Sequence, residues 1–146
     1  MSYLSLLALM AGAAIAVQAG MNAQLGVLLR NSLLGTAVAF SVSCLLSLLA
    51  VMVSTRQYPQ LASIQAVPLY LWFGGVLSVF GVGMFYFLIP RMGAGPMMSF
   101  ALTGQIVVAI IASHFGWFDL PVKPITPLKA AGVVALVAGI LLINWE

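Results

Sequence analysis

Five apolar runs follow one another along the 146 residues, each close to the length of a membrane-crossing helix and separated by short polar breaks. A helix needs about 20 such residues to cross the hydrocarbon core of a bilayer. The runs cover roughly residues 3–29, 33–53, 68–89, 95–115 and 128–145, taken as spans 1 to 5. Charged residues make up 5% of the chain and hydrophobic ones 64%. A soluble domain carries about 25% charged residues, so this chain lacks the polar groups to cover a water-facing surface. The expectation is an all-α integral membrane protein, with residues 1–146 forming a single membrane domain.

The breaks have physical causes. Arg30-Asn31 is a tight polar turn, and Thr55 to Pro68 is a loop holding Arg56, Pro59 and Pro68. Pro90-Arg91-Met92-Gly93 is a second short turn, in which the proline is expected to end span 3. The loop from Gly116 to Pro127 carries Asp119, Lys123 and three prolines. Residues 1–17 have no basic segment ahead of their apolar run, although Ala11 to Ala14 resembles a cleavage region. Span 1 is therefore read as a retained helix and not as a signal peptide.

An odd number of spans puts the termini on opposite sides of the membrane. The excess of Lys and Arg in cytoplasmic loops normally fixes the orientation. Here Arg56, Lys123 and Lys129 oppose Arg30 and Arg91, three against two. So small a bias fits a chain that inserts both ways and pairs antiparallel, giving a ten-helix inverted-repeat assembly of the transporter kind. It also fits a small protein with few charges to distribute. The net charge of +3 is scattered and forms no basic patch for nucleic acid. The single Cys44 excludes an intrachain disulfide.

Polar and small residues fall into stripes at helical spacing. Gln18 and Asn22 lie one turn apart on span 1, while Gln24 points elsewhere. They suit either interhelical hydrogen bonding or a substrate-facing pair. Span 2 aligns Thr36, Ser43, Ser47 and Ser54 as a packing seam. On span 3, Gly74, Ser78 and Gly81 form a small-residue seam. Roughly opposite, Trp72, Gly75, Gly83 and Tyr86 suit either a pocket wall or, for the aromatics, interfacial anchoring. Span 4 places Ser99, Thr103 and His114 on one face and Gln105 on another. Imidazole exchanges protons near neutral pH, which makes His114 a candidate proton site, although it lies near the membrane boundary. Gly132, Ala135 and Gly139 give span 5 a close-packing face suited to a dimer contact.

No Asp, Glu, Lys or Arg lies in the middle of a span. That argues against a carboxylate-driven antiporter. Nothing in the chain has the spacing of a metal cluster, a catalytic triad or a phosphate loop, so neither an enzyme nor a bound cofactor or metal is expected.

The run Gln18-Ala19-Gly20-Met21-Asn22-Ala23-Gln24-Leu25-Gly26 resembles the first-helix signature of the YdcZ family, in the drug/metabolite transporter superfamily. Trp72-Phe73-Gly74-Gly75, Pro90 to Ala94, Gly104-Gln105 and His114-Phe115-Gly116 resemble it too, in the same order. The closing Ala138 to Asn144 is similar to the last helix of small multidrug resistance exporters. The resemblance implies a five-helix, half-size transporter of the inner membrane that pairs antiparallel with itself or with a paralogue. It implies roles for Gln18, Asn22, Gln24, Trp72, Gly75, Arg91 and Gln105. The small multidrug exporters carry a glutamate in helix 1, where this chain has Gln18 and Asn22, which argues against their proton-coupled mechanism.

Two functions are expected to compete. In the first, the chain is a small-molecule transporter working by alternating access as a dual-topology homodimer. Its substrate would be bound by Gln18, Asn22 and Gln105, with Ser99 and Thr103 nearby and Trp72 and Tyr86 as walls. In the second, it is a non-transporting partner subunit whose small-residue seams are its whole function.

Overall fold

The computed structural model describes residues 3–56, 58–119 and 121–145. Among them the chain is helical, with no strand. Six helices occur in order: α1 (Tyr3–Leu28), α2 (Ser32–Ser54), α3 (Leu61–Gln65), α4 (Gly74–Met92), α5 (Ala94–Phe115) and α6 (Pro127–Ile143). The backbone divides into two compact units, Met1–Arg91 and Met92–Glu146.

In the first unit, the α1–α2 turn is closed by its own residues. Arg30 takes a left-handed conformation with φ of 53°. The Arg30 N–H donates to the Val27 carbonyl at 3.0 Å, and the Asn31 N–H donates to the Gly26 carbonyl at 2.9 Å. This is the paired closure that satisfies the last carbonyls of a helix, usually with glycine at the left-handed position. Asn31 also opens α2, its Oδ1 accepting from the N–H groups of Leu33 at 2.9 Å and Leu34 at 3.3 Å. One asparagine thus ends one helix and caps the next, which explains a connection of three residues.

The sharp turn forces α1 and α2 together, and glycine permits it. A Cβ added at Gly35 would lie 3.0 Å from the Gly26 Cα and 3.2 Å from the Asn22 carbonyl oxygen. Ala19, Ala23 and Gly26 of α1 and Gly35 and Thr36 of α2 are the buried residues of this pair. Thr36 donates to the Ser32 carbonyl at 2.9 Å, so its hydroxyl needs no other partner to be buried. Ser47 and Ser54 likewise bond back to Ser43 and Ala50 in their own helix, but stay exposed. The expected seam of α2 is thus occupied only at Thr36.

Span 3 begins as a 3₁₀ turn, Leu69–Phe73, before α4. The expected loop ahead of it contains the short helix α3. Proline does not end the span: α4 runs through Pro90 to Met92. Pro90 lacks the N–H that would bond the Tyr86 carbonyl, yet the helix continues two residues past it. The stop comes at Gly93, whose φ of 88° is outside the helical region.

In the second unit, α5 ends at Gly116 in the left-handed conformation. The chain then returns along the end of α5, with the Lys123 N–H donating to the Ser113 carbonyl at 2.8 Å. Thr126 caps α6, accepting from the Lys129 N–H at 3.3 Å, and Pro127 sits in its first turn. At the other end of α6, Asn144 Nδ2 donates to the Ser99 hydroxyl at 2.9 Å and to the Ile140 carbonyl at 2.7 Å.

Among the described residues, four helical segments are long and apolar enough to cross a membrane: Tyr3–Leu28, Ser32–Ser54, Leu69–Met92 and Ala94–Phe115. Pro127–Ile143 is a shorter apolar helix of 17 residues. Large apolar side chains are exposed along all of them. The protein is an all-α, multi-pass membrane protein.

Candidate functional site

The first unit contains a polar cluster built from two helices. Tyr86 of α4 is 1% exposed. Its Oη accepts a hydrogen bond from Gln18 Nε2 at 2.9 Å and another from Asn22 Nδ2 at 2.9 Å. Gln18 and Asn22 are four residues apart on α1, and that spacing places both amides over one phenol. A phenol in hydrocarbon needs such partners, and amides need them more, since no water is there to substitute.

The cluster still has unused capacity. Among the described residues, the amide oxygens of Gln18 and Asn22 and the hydroxyl proton of Tyr86 make no hydrogen bond. Gln18 is exposed and Asn22 half-buried, so these amides are reachable from outside the unit. Gly83, one turn before Tyr86, is buried, and a Cβ there would meet the Thr36 hydroxyl at 3.6 Å. That is an ordinary van der Waals distance, so residue 83 faces Thr36 of α2 with room for a methyl group.

Tyr86 also borders a cavity of about 570 Å³ at the turn end of the unit. Gly26, Arg30, Asn31 and Ser32 line one side of it, and Phe87 and Arg91 the other. The Arg91 guanidinium lies 3.5 Å from the centroid of the Phe87 ring and donates to the Phe87 carbonyl. Asn22 is one turn before Gly26 on α1, and Tyr86 belongs to both, so the polar cluster adjoins the inner end of this mouth.

The other expected site residues fall elsewhere. Trp72 is 60% exposed in the 3₁₀ turn, fourteen residues before Tyr86, about 20 Å along the helix axis. Gln24 is exposed on α1 and Gly75 is exposed on α4, with nothing within 4 Å of an added Cβ at Gly75.

In the second unit, Ser99 and Thr103 are half-buried on α5. Thr103 donates to the Ser99 carbonyl at 2.8 Å, and Ser99 donates to the Pro96 carbonyl at 2.8 Å. Ser99 thereby serves as the acceptor that ties Asn144 to α5, and the Asn144 Oδ1 is buried without a partner among the described residues. Gln105 is exposed on a different face of α5. His114 accepts from the Ile125 N–H through Nδ1 at 3.1 Å, which puts the imidazole proton on Nε2 and gives the ring a loop-holding contact.

The seams expected to pack helices are open within the chain. Gly74, Ser78, Gly132 and Ala135 are exposed, and Gly81 and Gly139 are half-buried. An added Cβ at Gly74, Gly81, Gly132 or Gly139 would meet nothing within 4 Å. The close approach occurs at Gly26 and Gly35 instead. Its signal in the sequence is the Ala19, Ala23, Gly26 spacing, a small-residue stripe on the same helix as the amides. Arg30 and Asn31, which the sequence offers only as a turn, line the cavity.

Comparison with known proteins agrees with this architecture. The family described as "Putative inner membrane exporter, YdcZ" matches residues 3–142. No curated protein and no solved structure matches the chain.

Proposed function

The chain belongs to the YdcZ family of the drug/metabolite transporter superfamily, and on that premise we propose that it exports a small polar molecule across the inner membrane. The observation that carries this reading is the buried Tyr86 hydroxyl held between Gln18 and Asn22. An interhelical hydrogen bond in a membrane contributes only about 0.6 kcal/mol on average, so packing alone gives little reason to gather three polar side chains. Their unused acceptors and donor suit a substrate that carries both N–H or O–H groups and an acceptor.

The working unit in this proposal is an antiparallel homodimer of five-span subunits that alternates access by exchanging the roles of its two copies. Two features support it: the near-balance of basic residues between the two sides, and the open glycine faces at Gly74–Gly81 and Gly132–Gly139. Those same open faces favour the second reading, a subunit that assembles with a paralogue.

The decisive experiment pairs flux with topology. The purified chain alone, reconstituted in proteoliposomes, should transport candidate substrates. Tyr86→Phe and Asn22→Ala should reduce flux at least tenfold with the oligomer intact. Cysteines added at either terminus in a Cys44→Ser background should label from both sides. Labelling from one side only rules out the antiparallel homodimer. Flux that requires a second, different chain supports the paralogue assembly.

A further inference from the structure

Two arginines, Arg30 and Arg91, line the cavity at the turn end of the first unit. Residues 1–91 include Arg30, Arg56 and Arg91 and contain no Asp or Glu. Neither arginine at the mouth can therefore find a counter-ion within its own unit. Arg91 uses a donor on the Phe87 carbonyl, but a guanidinium has five. Among the described residues the Arg30 side chain makes no hydrogen bond or ion pair. Ser32 and Leu33 at the start of α2 line the same cavity.

The mouth continues into an apolar groove of about 710 Å³, and the two share Ser32, Leu33 and Phe87. The groove runs down one face of α4 through Met84, Phe80 and Val76. From Phe87 to Val76 is eleven residues, about 16 Å of helix. That is the depth of one leaflet of a hydrocarbon core about 30 Å thick. Arg30 and Arg91 stand at the ends of apolar spans, at the level of lipid headgroups. Unpaired cations at headgroup depth above a leaflet-deep apolar groove match the two halves of one molecule.

We propose that this surface is a binding site for an anionic phospholipid, with its headgroup phosphate between Arg30 and Arg91 and an acyl chain along Val76, Phe80 and Met84. Arginine suits the head because its planar fork bonds two phosphate oxygens at once. A basic pocket between membrane helices is a recognised way to hold such headgroups. The site adjoins the proposed cargo cluster, since Tyr86 borders the same cavity, but Arg30 and Arg91 take no part in that cluster: failure of the flux variants leaves the lipid site standing, and its own failure leaves the cargo reading untouched.

The test uses the full chain in an uncharged maltoside detergent. Native mass spectrometry measures retention of equimolar phosphatidylglycerol, phosphatidylethanolamine and phosphatidylcholine with matched acyl chains. Phosphatidylglycerol should be retained about tenfold over the other two. The preference should vanish in R30Q/R91Q and be reduced but retained in R30K/R91K, which keeps the charge without the fork. Dihexanoyl phosphatidylglycerol, which has the head but short tails, should bind about tenfold more weakly than the long-chain lipid. Equal retention of all three lipids by the native chain overturns the proposal. So does an undiminished preference in R30Q/R91Q. Displacement of the lipid by an equal concentration of inorganic phosphate also overturns it, because the site would then be for a free anion. If R30Q/R91Q fails to fold, the lipid preference of the native chain and its loss in high salt decide the matter.

Discussion

The Cα of Gly26 lies 3.0 Å from where a Cβ on Gly35 would stand. No side chain intervenes between α1 and α2 at that point, and the atoms in contact are backbone. A methyl group there has nothing flexible to push aside.

Gly35→Ala is therefore expected to destabilise the chain by about 1–3 kcal/mol, the usual range for overpacking. Gly20→Ala lies on α1 where an added Cβ meets nothing within 4 Å, and it should be neutral or slightly stabilising. Thermal unfolding of both variants in one detergent measures the contrast. Equal midpoints would mean that the α1–α2 contact is looser than described.

Tyr86→Phe keeps the ring and removes the acceptor shared by Gln18 and Asn22. Two hydrogen bonds are lost, and the expected cost is about 1 kcal/mol, at roughly 0.6 kcal/mol each. Its effect on flux should exceed its effect on stability. A double-mutant cycle with Asn22→Ala should give a positive coupling near one hydrogen bond. Zero coupling would show that the amide and phenol do not interact in the membrane.

The Asn144 to Ser99 contact is the polar tie between α6 and α5. Ser99→Ala should cost about 0.6 kcal/mol or less, because the Asn144 amide retains the Ile140 carbonyl. Asn144→Leu removes the unpartnered Oδ1 as well as the tie, so its net effect should lie close to zero. Urea or thermal midpoints of the two variants in detergent check the order.

His114→Phe retains a ring but deprives the Ile125 N–H of its acceptor. Hydrogen exchange at Ile125 should accelerate about tenfold or more, with little change in the middle of α5. If proton transfer were the histidine's main task, flux would change while Ile125 exchange did not.

The spans were legible in the sequence because a membrane helix is announced by length and polarity alone. The Arg30-Asn31 turn was legible for the same reason, since a polar pair between two apolar runs has nowhere else to go. Gln18 and Asn22 could be paired because a four-residue spacing is a local property of a helix. Their common partner could not: Tyr86 is 64 residues beyond Asn22, and no period in the sequence links them. Pro90 was misread because the helix carries two residues past the proline, and the stop is set by the positive φ of Gly93. The close-packed glycines were hidden by abundance. With 14 glycines in the chain, the stripes at Gly74–Gly81 and Gly132–Gly139 look as suitable for packing as Gly26 and Gly35. Only the three-residue connection between α1 and α2 selects the last pair.

One consequence of the helix lengths concerns the membrane itself. The 26 residues of α1 extend about 39 Å and the 17 residues of α6 about 26 Å, while the hydrocarbon core is about 30 Å thick. The first can tilt to fit; the second cannot lengthen. Lys129 at the start of α6 and Trp145 beyond its end are suited to draw the bilayer surfaces inward around it. Thin bilayers should accommodate α6 without deformation, and thick ones should resist it. The acyl-chain length of the host membrane thus becomes a variable that sorts this protein among membranes, independently of any molecule it carries.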